Sequence, residues 1–332
     1  MILVTGDSGF IGQHLIRRLL ARGERIRGID IRPKPETSPD YPQVVGNVLD
    51  PVAVKQALSG VRCIIHLAAE HKDFGITRDK YFEVNERGTR HLLERASEAQ
   101  VREFVFYSSV AVYGAQDSPN EKSNPQPINP YGESKLAGER VVRSWSQGDP
   151  ARKAVIIRPT VVFGPHSRAN IFKLISYVCD RKFVWVGNGE HIKSIAFVEN
   201  LVEATLFVLD HFQPGLEVFN YSDEPQLTTR ELVSLIAETA GVRQPRLKIP
   251  LPVALRVATV FDMIGAVTGM DLPVTTARIK KFNTPTIYRS DPIRSRGFTA
   301  PYSISEGLDR SIRWYFDERK SGKVLEFESS RD

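Results

Sequence analysis

Short solid apolar runs alternate with longer stretches whose apolar positions fall three and four apart over the first half of the chain. Ile2-Leu3-Val4 is the first run, and the helix-period stretch His14-Leu15-Ile16-Arg17-Arg18-Leu19-Leu20 follows it and stops at Gly23. Further strand-like runs lie at Arg25 to Ile29, Gln43 to Gly46, Arg62 to Leu67, Phe104 to Ser108 and Ala154 to Ile157. A helical run begins at Pro130-Tyr131 and continues through Leu136, Val141, Val142 and Trp145. Solid runs suit strands buried on both faces, and their alternation with helices predicts an α/β fold, a doubly wound parallel sheet. From His166 the pattern changes. A helix is expected at Asn170 to Val178, a strand and turn at Phe183 to Val186 and Gly187-Asn188-Gly189, a helix at Phe197 to Asp210 and a strand at Val218 to Tyr221. Thr228-x-x-Glu231 reads as a capping box opening a helix with Leu232, Leu235 and Ile236 on one face. The expected domains interleave: residues 1–165, with 196–222 returning, form a nucleotide-binding domain, and 166–195 with 223–332 form a smaller C-terminal α/β lobe that holds the substrate.

The turn after the first strand changes this from a fold to a site. Thr5-Gly6-Asp7-Ser8-Gly9-Phe10-Ile11-Gly12 stands between strand and helix, the context of a Rossmann dinucleotide fingerprint. Gly6 permits the tight turn, Gly9 lets backbone approach a pyrophosphate, and Gly12 lets the helix lie close to the strand. Ser8, Phe10 and Ile11 would line the same turn, and the helix N-terminus offers N–H groups and a positive dipole end. Asp30 ends the second strand about twenty residues past the first glycine, where an acid accepts hydrogen bonds from ribose hydroxyls and repels a 2′-phosphate. Ile31 and Arg32 follow it. Arg32 could hold a 2′-phosphate, so NADP stays open while NAD is favoured. Asn47-Val48 would meet the adenine edge. Leu67, Ala68 and Ala69 would let backbone lie against the cofactor, although close strand–helix packing explains the same small residues.

Composition adds bounds. The 332 residues are 41% hydrophobic and 25% charged, which is ordinary for a globular chain. A net charge of +6 spread along the sequence suits an anionic small molecule better than nucleic acid. Cys63 and Cys179 are far apart in apolar surroundings and read as buried thiols, so no metal site is expected. No signal peptide is visible, which leads to an expected cytoplasmic location. Ile249 to Gly269 is the most membrane-like segment, but Arg256 and Asp262 interrupt it. It reads as a core or lobe helix, with peripheral membrane contact as the alternative. Lys320 to Asp332 is polar, with Val324, Leu325 and Phe327 able to dock.

Thr5-Gly6-x-x-Gly9-x-x-Gly12, Asp30, His66-Leu67-Ala68-Ala69, Asn85-x-x-Gly88-Thr89, Ser108-Ser109-x-x-x-Tyr113-Gly114 and Tyr131-x-x-x-Lys135 together resemble the extended short-chain dehydrogenase/reductases, and among them the NAD-dependent nucleotide-sugar epimerases and dehydratases. The closing segment, Asp291 to Phe298 and Tyr302 to Leu308, is similar as well. Tyr131 and Lys135, four apart, share one helix face, and Ser109 ends the fifth strand where parallel sheets bind ligands. A tyrosine of ordinary pKa near 10 would be shifted toward phenolate by the Lys135 ammonium and by bound NAD. The resemblance implies that Tyr131 moves the proton of a substrate hydroxyl, Ser109 steadies its oxygen, and Lys135 also binds the nicotinamide ribose. It further implies that Asn85 braces the region, with a plain helix–loop hydrogen bond as the alternative, and that Ser108 and Pro159 lie beside the cofactor.

Substrate specificity is less well marked. The resembled 4,6-dehydratases carry an Asp-Glu pair after the active-site hydroxyl residue, and Val110 and Ala111 stand there, unable to carry a proton. Many sugar-nucleotide relatives have asparagine where Val161 stands. Lys193 occupies a place where they often have a phosphate-binding arginine. Glu70, His71 and Asp73 could line the crevice or be solvated, and Arg278, Lys280 and Lys281 form a basic cluster that could meet a phosphate. The substrate contacts expected are Glu70, Val110, Lys193 and Arg278. The first reading is an NAD-dependent nucleotide-sugar C4 epimerase, with a homodimer through the helices of residues 81–97 and 131–146. The alternatives are a dehydrogenase or reductase of a 4-keto sugar nucleotide or hydroxysteroid-like alcohol, and a non-catalytic NAD-binding scaffold.

Overall fold

The computed structural model describes residues 1–72, 75–268, 275–276, 279 and 284–321. Asp73, Arg278, Lys280, Lys281, Val324, Leu325 and Phe327 lie outside the described residues. In chain order the first half holds β1 (Ile2–Thr5), α1 (Phe10–Ala21), β2 (Ile26–Asp30), β3 (Gln43–Val45), α2 (Pro51–Leu58), β4 (Cys63–His66), α3 (Arg78–Phe82), α4 (Thr89–Glu98), β5 (Glu103–Tyr107), α5 (Pro130–Gln147) and β6 (Lys153–Pro159). The second half adds β7 (Val161–Phe163), α6 (Asn170–Cys179), β8 (Trp185–Val186), β9 (Ile192–Lys193), β10 (Ile195–Phe197), α7 (Val198–Asp210), β11 (Gly215–Tyr221), β12 (Leu227–Thr228), α8 (Thr229–Thr239), β13 (Lys248–Ile249) and α9 (Leu251–Thr268), then helices Asp291–Ser295 and Ile304–Lys320.

The chain divides into two units. The first comprises Met1–Thr160, Val198–Ser222 and Tyr288–Pro301. Its seven-stranded sheet runs β11-β6-β5-β4-β1-β2-β3, and every pairing is parallel. The order reverses direction at β1 and β4, the switch point where open α/β sheets bind ligands beyond the strand C-termini. β1 and β4 are buried along their whole length, as a sheet covered on both faces requires. One face packs Leu3, Ile64, Phe104 and Ile156 against Leu92, Leu93, Val142 and Trp145. The segment Tyr288–Pro301 is tied to this unit by the Asn220 amide, which donates to the Arg289 carbonyl at 2.9 Å, and by the Arg289 N–H, which donates to the Pro119 carbonyl at 3.3 Å.

The second unit comprises Val161–Phe197, Asp223–Ile287 and Tyr302–Asp332. It has three short strand pairs, β7 with β10, β9 with β12 and β8 with β13. Helices α6, α8 and Ile304–Lys320 pack on one another. The expected capping box opens α8, with Thr228 and Glu231 bonding reciprocally and Leu232 and Ile236 buried. The segment read as a core or lobe helix is helical over Leu251–Thr268 and belongs to the second unit, with Leu251, Leu255 and Phe261 half-buried. Ala254 and Ala258 are buried, whereas Val253, Val257, Val260 and Met263 are exposed. No helix among the described residues is long and apolar enough to cross a membrane.

Candidate active site

The glycine turn is shaped by what surrounds it. Gly6 has φ +71°, and a Cβ there would come within 2.8 Å of the Ala68 N–H nitrogen at the end of β4. A Cβ on Gly12 would lie 2.3 Å from the Gly6 carbonyl oxygen, so α1 can start this close to β1 only with glycine. Gly9 caps α1 without any side-chain hydrogen bond and no acid stands in the first turn, so the helix offers its N–H groups and positive end outward.

Asp30 ends β2 beside this turn. The Ser8 N–H donates to its Oδ2 at 3.2 Å and the Arg32 N–H to its Oδ1 at 3.0 Å. Ile31 next to it is exposed. A buried support beneath the loop was not read from the sequence. Tyr41 O–H donates to Asp7 Oδ2 at 2.7 Å, and the Gln43 amide donates to the same oxygen at 2.8 Å and to Ser8 Oγ at 2.9 Å. Burial raises the Asp7 carboxyl to about 6, and the Asp30 charge adds to the shift. Polar side chains at residues 41 and 43, just before and at the start of β3, were the available signal.

Past β3, Asn47 closes a local turn, its Oδ1 accepting from the Leu49 N–H at 3.0 Å, and Val48 is buried. Residues 67–70 at the end of β4 are half-buried. His66 is fully buried between Thr5 Oγ1 at 2.6 Å and Thr89 Oγ1 at 3.0 Å, and burial holds its imidazole neutral, with the pKa lowered to about 3. Asn85 sits in a single π turn, Glu83–Gly88, between α3 and α4. Its Oδ1 accepts from the Glu70 N–H at 2.8 Å, and its amide donates to the Glu70 carbonyl and to Ser134 Oγ, each at 2.9 Å. The side chain thus clamps the strand-end loop to α5. Glu70 Oε1 accepts from the His71 N–H at 3.1 Å and the Lys72 N–H at 3.3 Å.

Helix α5 starts where it does because Asn129 caps it, accepting from the Gly132 N–H at 2.8 Å, with Pro130 in the first position. Tyr131 therefore lies in the first turn, half-buried and edge-on to Tyr81 at 6.1 Å. Lys135, one turn on, is buried, and its Nζ donates to the Tyr107 carbonyl at 2.8 Å. That carbonyl ends β5 two residues before Ser109, so the lysine is anchored at the strand end that Ser109 follows. Burial lowers the Lys135 ammonium to about 7, while the Glu139 charge pulls it back up. Ser109 is half-buried and its Oγ accepts from the Ala111 N–H at 3.1 Å. Val110 is buried in a short 3-10 turn, Val110–Tyr113. Ser108 is turned inward, donating to Glu139 Oε1 at 2.5 Å. Pro159 ends β6 and is buried. Lys193 stands in β9 of the second unit, its ammonium donating to the Thr284 carbonyl.

A buried charge network behind the site also escaped the sequence reading. Arg158 Nε donates to Glu139 Oε1 at 2.8 Å, and its guanidinium also reaches Glu139 Oε2 and Tyr113 Oη. Tyr113 O–H donates onward to Asn220 Oδ1 at 2.8 Å. Glu139 continues the Tyr131–Lys135 helix face by one more turn, which was a usable signal.

The cradle around Gly6 and Gly12, the uncapped α1 N-terminus, the anchored Asp30 carboxylate and the Lys135 ammonium fit a dinucleotide with a free ribose diol. Fold and site together define a dinucleotide-dependent enzyme of the Rossmann type. The model of the NAD dependent epimerase/dehydratase family matches residues 2–221. N-acetyl-α-D-glucosaminyl-diphospho-ditrans,octacis-undecaprenol 4-epimerase of Escherichia coli O157:H7 is 36% identical over 327 residues, covering 97% of each chain. UDP-glucose 4-epimerase of Vibrio cholerae is 28% identical over 264 residues, 76% of this chain and 79% of that one. The solved structure of MoeE5 in complex with UDP-glucose and NAD superposes with a TM-score of 0.75 at 27% identity, over 96% of this chain and 99% of the other. The chain belongs to the NAD-dependent epimerase/dehydratase family, and its cofactor is NAD.

Asp30→Asn is expected to weaken NAD binding by roughly tenfold or more, since hydrogen bonds to a charged acceptor contribute about 1.5–3 kcal/mol. Titration calorimetry checks this, and unchanged affinity would remove Asp30 from the cofactor site.

Proposed function

We propose that the protein is a C4 epimerase of a hexose carried on a diphosphate. The observation that supports this reading is Lys135 anchored at the end of β5, two residues before Ser109 and with Tyr131 one turn away on α5, in a chain 36% identical along its length to a diphosphosugar 4-epimerase. Tyr131 takes the proton of the sugar 4-hydroxyl, Ser109 donates to the same oxygen, and the Lys135 ammonium favours the phenolate that accepts. NAD, held by the glycine turn, Asp30 and Lys135, supplies reversible hydride acceptance when bound. The 4-keto sugar turns its other face; hydride would then return to C4 from that side while Tyr131 gives its proton back to the 4-oxygen, and the change of face would invert C4. Val110 and Ala111 offer no second acid or base, which disfavours dehydration.

The remaining assignments belong to the same proposal. Residues 166–195 and 223–332 hold the substrate, with Lys193 meeting its diphosphate. The enzyme is a homodimer through the helices of 81–97 and 131–146, and a monomeric mass in solution would remove that element. The carrier is first a nucleoside diphosphate, as the likeness to UDP-glucose 4-epimerase and to MoeE5 with UDP-glucose supports. A polyprenyl diphosphate is the second reading. It is favoured by the 36% identical relative and by Val161, which is exposed in β7 where nucleotide-sugar relatives often hold an asparagine.

The test is a panel of UDP-, GDP- and dTDP-hexoses beside a polyprenyl-diphosphate hexosamine, with products resolved by NMR and mass spectrometry. The expected result is interconversion of C4 epimers without added cofactor and without net NADH. Stoichiometric NADH would mark a dehydrogenase, and bound NAD with no turnover a scaffold.

A further inference from the structure

Helix α9 carries large apolar side chains on its exposed side as well as on its inward one. Ala254 and Ala258 are buried and Leu251, Leu255 and Phe261 half-buried, while Val253, Val257, Val260 and Met263 are 46%, 48%, 50% and 58% exposed. Spacings of four and three put Val253, Val257 and Val260 on one stripe, and Met263 extends it. Leu247, just before the helix, is 64% exposed. Half of the exposed large apolar side chains among the described residues thus fall within residues 247–263. Scattered exposed apolar residues are normal in soluble proteins, but a contiguous stripe marks an interaction surface.

The charge around the stripe indicates what it meets. Arg243, Arg246, Lys248 and Arg256 are all exposed in and just before the helix. Over the described residues 241–263 the only acid is Asp262, which is half-buried and accepts from the Thr276 N–H at 3.2 Å. An aliphatic stripe edged by cations is the pattern of a helix lying in the headgroup layer of an anionic bilayer, its apolar side chains entering the acyl boundary. A second copy of this chain would set the same four cations against themselves.

We propose that α9, with residues 243–248, docks the protein on an anionic membrane surface. The helix lies on the bilayer and does not span it. The inference goes beyond the epimerase reading and holds for either carrier.

Flotation with vesicles tests it without any substrate. Purified protein is expected to float with phosphatidylglycerol-containing vesicles at low salt and to stay behind with phosphatidylcholine alone. Val257→Ser with Val260→Ser, and separately Arg246→Glu with Lys248→Glu, should each reduce the bound fraction at least tenfold while leaving bound NAD and thermal unfolding unchanged. No binding to anionic vesicles by the unaltered protein, or equal binding by both variants, overturns the proposal. So does a dimer whose mass halves in the valine variant without vesicle binding, which would assign the face to a second copy. Loss of epimerase activity against every sugar would leave flotation unaffected, so the two proposals fail independently.

Discussion

Tyr131→Phe is expected to lower kcat by roughly 10²–10⁴-fold, the usual contribution of a positioned acid–base group, while NAD remains bound. The substitution removes one oxygen from a half-buried ring that keeps its edge contact with Tyr81, so folding should be unaffected. The cofactor cradle around Gly6, Gly12 and Asp30 does not include that oxygen. Single-turnover and steady-state assays on the best sugar of the panel check the loss. Activity within threefold of the unaltered enzyme would remove Tyr131 from proton transfer. Lys135→Met supplies a second readout. Lys135 is an ammonium below about 7 in the free protein, and its charge favours the neighbouring phenolate. Without it, the pH at which kcat/KM rises should move upward, toward the ordinary tyrosine value of about 10. A profile unchanged in shape would assign lysine to binding alone.

What was legible from residues depended on the range of the interaction. The glycine turn, the Asp30 strand end and the Tyr131–Lys135 face are local patterns, readable because a few neighbouring residues determine them. Solid apolar runs marked the first-half strands within a residue or two, since a sheet covered on both faces favours apolar side chains along each strand. Long-range partners were not legible. Asn85 was equally compatible with a brace and a plain loop bond, until its three hydrogen bonds to Glu70 and Ser134 placed it as a clamp. Asp7 is buried on Tyr41 and Gln43, partners more than thirty residues further along the chain. In α9 apolar residues occur all round the helix, so no periodicity told which side would meet the protein. The place of 288–301 beside Asn220 rests on tertiary hydrogen bonds that the segment's own residues do not announce.

Arg158→Met is expected to destabilise the protein by about 3–5 kcal/mol, the usual cost of breaking a buried ion pair from one side. Both side chains are 4% exposed, so the Glu139 carboxylate would lose its guanidinium and keep the Ser108 hydroxyl, 2.5 Å away. Tyr113, which accepts from the same guanidinium, would lose that donor too. Urea unfolding followed by fluorescence measures the shift. Adding Glu139→Leu to Arg158→Met should recover part of the loss, because a pair removed together leaves no uncompensated charge. Additive losses would show that the two groups do not act as a pair. The network also reaches the chemistry. Glu139 lies one turn beyond Lys135, and its negative charge opposes the burial that pulls the lysine down to about 7. Glu139→Gln should therefore lower the lysine further, leaving it neutral over more of the neutral range and weakening its support of the Tyr131 phenolate. Activity of that variant is expected to decline at a lower pH than in the unaltered enzyme. A loss of stability with no change in the pH profile would confine Glu139 to the fold. The acid that closes the buried ion pair would then have no part in setting the charge on the catalytic lysine.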